Sequence, residues 1–406
     1  MSQQRGTKQR MKWLPTVVAC SIALGGASYA MAAQVPATPP APPKAPQDTS
    51  INGPHMISTI SSTIDPVNGD TNPYAVAINP TNGALYVSNF SNSAGTNGAG
   101  STIEKIVNGQ PQTFFASATG PAAMAFSPKG PLWIANFGQW GTDGNVQVTK
   151  PTGASFGTDG LITNPAIQGP WGMAFAPSFT SADGTSSPPA FFVASALNGS
   201  IEAMYGFSPP NFNSDTKVLQ IGSGLAHWGS NANNIVGPQG MAWDAMNDTL
   251  YVTDGADNSI RAYHWWGAST TDQGTGQVVY QGAPLNTPAG IAIDPLNGDL
   301  LVVNQGNNNI IELALPPVPP VPPTPMSAMT LVTPAANLAS PAGAPPVATP
   351  PTPPMPMAHV VGQRVLDTGA AGALFGIAAT TDASGNLVVY FTDDNTNTVN
   401  DLTATP

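Results

Sequence analysis

Cysteine is nearly missing: Cys20 is the only one in 406 residues, and it stands near the N-terminus. A chain that loses its first 33 residues therefore has no thiol. Disulfides, thiolate catalysis and cysteine-ligated metals are then excluded. Charge is also scarce, at 8% of residues against about 25% in ordinary soluble domains. Cations are the scarcer sign: 11 Lys and Arg face 22 Asp and Glu, a net charge of −11. Nucleic acid and anionic membrane surfaces need basic patches, so neither is expected as a partner. No apolar run reaches the roughly 20 residues that span a bilayer. Glutamate is confined to Glu104, Glu202 and Glu312, and histidine to His55, His227, His264 and His359. None of the histidines shares a metal-ligand spacing with another, and no Ser-His-Asp arrangement can be picked out. No catalytic residue is assigned.

What the N-terminus does have is order of another kind. Arg5, Lys8, Arg10 and Lys12 precede an apolar run from Trp13 to Leu24, and Ala30-Met31-Ala32 follows. A basic region, a short apolar region and a small-residue exit make a secretory signal peptide over residues 1–33. Export to the periplasm or the medium is expected. Val17-Val18-Ala19-Cys20 offers a lesser alternative, a lipoprotein anchored through Cys20, but Pro15 interrupts the run before it. Residues 34–54 form a Pro-rich linker.

The rest of the chain repeats itself. Six apolar strands follow a Pro or Gly marker, beginning at Tyr74, Ala122, Trp171, Gln239, Ala289 and Phe375. Ala77, Ala125, Ala174, Ala242, Ala292 and Ala378 share one register, with Gly or Ala two residues before. Small side chains there suit inner strands crowding around a common axis. A second strand follows each time, ending at Asn89, Asn136, Ser195, Asp254, Asn304 and Asp393. Its aromatic and β-branched content is a strand signal, and Asn82-Gly83 and Asn297-Gly298 mark hairpin turns. Third strands follow in each repeat. The marker prolines 73, 121, 170, 238 and 288 are spaced by 48, 49, 68 and 50 residues. Repeats of about 40 to 50 residues with four short strands are propeller blades. The expected fold is therefore all-β, a six-bladed β-propeller over residues 55–406.

The G-I-A-like first strands and Y-V-S-N or Y-V-T-D second strands resemble the NHL-repeat pattern of exported bacterial propellers. The resemblance covers nearly all of residues 72–404 and is specific for fold, not activity. Ser195 and a longer insertion before its strand depart from it. Enzymes on related propellers use a Glu with Asn or Asp around a metal, histidine-bound zinc, or His and Glu on blade loops. Here the three glutamates fall on third strands, away from the axis.

Met56–Ile64 belongs to no repeat, and the sixth repeat lacks a fourth strand. The expectation is that this N-terminal strand completes the last blade and closes the ring. Residues 316–358 form a Pro-rich, low-complexity insert between the third and fourth strands of blade five, expected to be extended and disordered.

Two site readings follow. Tyr74, Trp171, Gln239 and Phe375 follow the marker directly and should sit at the channel mouth. There they either stack on a flat ligand or plug the channel. Asn89, Asn136, Asp254, Asn304 and Asp393, with Ser195, form a ring that either caps turns or supplies oxygens to calcium. No cofactor is expected, with Ca²⁺ as the alternative. The leading functional expectation is a monomeric, non-enzymatic module that binds a protein, peptide or carbohydrate. The alternatives are a metal-dependent lactonase- or lyase-like enzyme and a structural envelope protein.

Overall fold

The computed structural model describes residues 51–180, 186–316 and 357–405. The expected signal peptide, the linker up to residue 50 and insert residues 317–356 lie outside them. Six four-stranded antiparallel sheets account for nearly all the regular structure; five run in chain order from an inner to an outer strand, and the sixth takes its outer strand from the start of the described chain. Blade one is Thr71–Ile78, Leu85–Ser91, Ile103–Val107 and Gln110–Phe115. Blades two to five start at Pro121, Pro170, Pro238 and Pro288, as the markers predict. Blade six is Leu374–Thr381, Leu387–Asp393 and Thr398–Ala404, completed by His55–Ser62. That fourth strand pairs with the third from His55 opposite Ala404 to Ser62 opposite Thr398. The ring is thus closed by the two ends of the propeller sequence.

The segment before this strand is part of the closure. Ile51 is fully buried, in one cluster with Leu374 and Phe391 of blade six and Leu301 of blade five. Its amide donates to Glu312 Oε2 at 3.1 Å. Arg364, on the outer strand of blade five (His359–Val365), donates to the carbonyls of Ile51, Gly53 and His55. That outer strand resumes the sheet after the Pro-rich insert, as expected.

Two places differ from the repeat. Blade two's outer strand is only Leu161–Ile162, bounded by a 3₁₀ turn at Gly157–Gly160 and by Pro165. Blade three's insertion forms a small hairpin pairing Phe179 with Ser187.

The axis explains the small residues, with one correction. Ala77, Ala174, Ala242 and Ala292 do not face the channel; each is buried in a core between neighbouring blades. The residue two before is the one that the axis demands. A Cβ on Gly172 would lie 1.6 Å from the Gln239 carbonyl oxygen, and one on Gly240 2.2 Å from that of Ala289. Every first strand breaks register at this point, a bulge that turns the backbone toward the next blade. In three blades a hydroxyl from the second strand fills the bulge. Ser88, Thr253 and Thr392 accept from the amides of Ala75, Gly240 and Gly376. The same hydroxyls donate to Ala122, Ala289 and Tyr74 of the next blade. Each one joins two blades around the channel.

A second tie lies at the turns between second and third strands. Asn258, Asn308 and Asn397 have positive φ, which asparagine tolerates better than most residues. Their Oδ1 atoms accept from the amides of Thr287, Ala373 and Asn72, each at the entry to the next blade.

Candidate functional site

The face that carries the starts of the first strands and the ends of the second contains both predicted sets of residues. At the axis, the position after the marker is Tyr74, Ala122, Trp171, Gln239, Ala289 and Phe375. The position after the second-strand exit is Phe90, Phe137, Ala196, Gly255, Gln305 and Asp394. Its amide bonds the residue before the marker in blades two to six, which fixes the equivalence. These two rings make the channel mouth.

The mouth is divided. Tyr74, Trp171 and Phe375 come together with Phe90 and Phe137 in one buried cluster. Tyr74 stacks on Phe375 with ring centroids 3.9 Å apart, and Phe137 meets Trp171 edge-on at 4.8 Å. Such pairs contribute about 0.5–1.5 kcal/mol each beyond their burial. Ala232 and Ile235, from the connection 223–237 between blades three and four, insert into the same cluster and roof it. On the other side the equivalents are small or polar: Gly255, Gln305 and Asp394. Burial, with Asp393 beside it, pushes the Asp394 carboxyl up to about 6. Burial and the Asp394 charge in turn raise the Tyr74 phenol.

Below the mouth the channel narrows to a cavity of about 80 Å³, lined by the three residues after each marker. Pockets that enclose drug-sized ligands run to about 300–1,000 Å³. Gln239 lines this cavity, is 3% exposed, and has a buried Oε1 without a hydrogen-bond partner among the described residues. So the structure brings all four predicted mouth residues to one place. It puts the three aromatics into packing and leaves the Gln239 amide oxygen buried without a partner among the described residues.

The Asn/Asp ring has a different geometry from a metal cage. Each member stands in its own sheet and bonds that sheet's own connection or turn. Asn89 donates to the Thr63 carbonyl, Asn304 to that of Pro284, and Asn136 accepts from the Thr119 amide. Asp254 and Asp393 accept from Ala256 and Thr396 of their own turns. Turn-capping thus describes only the two aspartates; the asparagines anchor the incoming connection instead. Asn89 Oδ1, Asp254 Oδ2 and Asn304 Oδ1 are buried without hydrogen-bond partners among the described residues, but in three separate blades. Calcium takes six to eight oxygens around one point. Burial, then the Asp257 charge, raise the Asp254 carboxyl to about 6. Among the described residues no three His, Cys, Asp or Glu side chains are gathered to hold a metal ion.

Ser195, the odd member, is explained by its neighbour. Glu202, fully buried two residues into the next strand, accepts the hydroxyls of Ser195 and Ser200. Burial outweighs these bonds and lifts the carboxyl to about 7. Glu104 occupies the same position in blade one. Burial, then the carboxyl of Asp65, push it up to about 9, and neither of its buried oxygens has a hydrogen-bond partner among the described residues. Burial opposes ionisation of Asp65 as well, yet bonds from Thr113, Val67 and Asn68 hold it below the usual carboxylate range. Sequence reasoning placed the glutamates off the axis, as found. It missed that burial raises two of them inside the blades.

No family model matches the sequence, and no curated protein does. Solved structures resemble the fold distantly. A virginiamycin B lyase from Staphylococcus aureus is 12% identical over 86% of this chain and 99% of its own, with a TM-score of 0.47. A gluconolactonase from Xanthomonas campestris is 11% identical over 86% and 90%, with a TM-score of 0.48. An aldose sugar dehydrogenase from Streptomyces coelicolor is 15% identical over 86% and 98%, at 0.45. At these values the likenesses carry no argument about activity. The six-bladed architecture rests on this chain's own sheet order.

Proposed function

We propose that this protein is an exported, non-enzymatic binding module that meets its ligand on the rim of the channel mouth. The observation that carries the reading is the packed mouth. Five aromatics and the roof formed by residues 223–237 fill one half of it, above a cavity of only about 80 Å³. A small-molecule enzyme needs room for substrate beside its reacting groups, and this cavity has room for only a few waters. A ligand therefore meets the loops around the mouth. In this reading Tyr74, Trp171 and Phe375 are the floor that holds those loops in place, with Gln239 in the same ring.

The test is an assay for hydrolysis of a δ-lactone by the full chain with added Ca²⁺ or Zn²⁺. The expected rate is the uncatalysed one. A metal-dependent rate that Asp254→Asn or Asp393→Asn abolishes would replace this reading with a metal-dependent enzyme built on the Asn/Asp ring.

A further inference from the structure

Three loops meet over the apolar half of the mouth: residues 91–101, 137–144 and 223–237. Their meeting is close. A Cβ on Gly98 would touch the Gly138 carbonyl and the Ala232 side chain, and the Ala232 amide donates to the Gln139 carbonyl at 3.2 Å. The roof loop is rigid for its length. Trp228 and Val236 form a two-way bridge at its base, and Asn234 Oδ1 accepts from the amides of Ser230 and Asn231. On this fixed platform stand two large indoles that the fold does not bury. Trp140, next to Gln139, is 63% exposed, and Trp228 is 60% exposed.

The chemistry around them is uniform. Side-chain amides and hydroxyls dominate, with Gln139 and Asn233 exposed. Within the three loops the ionisable side chains are Asp143 and His227. Both are exposed, and each also contacts its own loop: the Asp143 carboxylate crowds Gly138, and His227 Nδ1 bonds the Leu225 carbonyl at 2.9 Å.

We infer that this ledge, with Trp140 and Trp228 as its anchors, binds a neutral glycan. The inference rests on the mouth-rim reading and names its ligand class. An indole presents a flat apolar face of about the size of a sugar ring, on which axial C–H groups pack. Side-chain amides offer a donor and an acceptor side by side, the pattern that adjacent sugar hydroxyls need. A polyanionic ligand would meet no Lys or Arg here and a net charge of −11 on the chain. A cationic ligand would find a single carboxylate, Asp143.

The test is affinity electrophoresis of the full chain through gels containing laminarin, galactomannan, xylan or hydroxyethylcellulose, followed by calorimetric titration with the matching hexasaccharide. Polygalacturonate and a Pro-rich peptide serve as other ligand classes. Trp140→Ala and Trp228→Ala should fold normally, because both side chains are exposed. Each should weaken binding of at least one neutral glycan by about tenfold, and the double variant should abolish it. Trp266→Ala, on the opposite face, should bind as the parent does. Failure of every neutral glycan to bind overturns the proposal. Binding of polygalacturonate or the peptide instead, lost in the two tryptophan variants, overturns the glycan assignment and leaves the mouth-rim reading standing. Binding of a neutral glycan that neither variant weakens overturns both.

Discussion

At the scale of single residues, the close approach of neighbouring blades is the strictest demand on this sequence. Gly172 has no space for a Cβ beside the Gln239 carbonyl. Gly172→Ala should cost about 3 kcal/mol or abolish soluble folding; urea unfolding decides, and parental stability would contradict the packing described. Thr253 joins blades four and five through one hydroxyl and is fully buried. Thr253→Val should cost about 1–3 kcal/mol, because it leaves buried backbone groups unpaired, and Thr253→Ser should restore most of it. This joint was written in the sequence as a Ser or Thr just before the Asn or Asp of the second strand. It went unread because a hydroxyl in a strand looks the same whether it bonds its own sheet or the next. The alternation of small residues was legible, but which of the two registers faces the axis was not. Both are small, and only the bulge separates them.

At the scale of elements, the repeats were legible because each blade solves the same burial problem with the same pattern. The closing strand was legible by elimination, as a strand without a blade. What the pattern could not give was the segment before it. Ile51 lies at the end of a Pro-rich stretch, and nothing local marks it as buried. Its place depends on Arg364, more than 300 residues away, which bonds three carbonyls of that segment. Arg364→Ala should therefore lower stability by about 2–3 kcal/mol, the scale of charge-assisted hydrogen bonds. Deleting residues 55–62 should remove cooperative unfolding altogether, since blade six would lose its outer strand. A deletion variant with an unchanged melting profile would break the closure account. The loops of the mouth were the least legible elements. Trp140 and Trp228 sit among small polar residues with no periodicity. A lone tryptophan in such a stretch was the available signal, and only the fold shows that two of these stretches meet.

At the scale of the whole molecule, the raised carboxyls set the pH response. Glu104 is pushed to about 9, Glu202 to about 7, and Asp254 and Asp394 to about 6. The folded state thus binds protons more tightly than the unfolded chain at these sites. Their contribution is complete below the unfolded carboxylate range and is lost as pH rises through 6 to 9. Asp65 works the other way, losing its contribution as pH falls below the usual carboxylate range. Stability should therefore peak at about pH 4–6 and decline toward pH 9. Glu104→Gln should flatten the decline above pH 7. A maximum at pH 8 in urea unfolding across this range would contradict the assignment of protonated interior acids.

The central claim is that the packed mouth presents a binding rim, and that the Asn/Asp ring behind it holds connections together and does not hold a metal. The most direct measurement is thermal unfolding of the full chain in excess calcium, zinc or chelator. A metal bound to the folded state at a hundredfold excess over Kd would add about 2.7 kcal/mol of stability. The account predicts the same melting temperature in all three conditions. A rise with metal that chelator reverses, and that Asp254→Asn or Asp393→Asn removes, would contradict it.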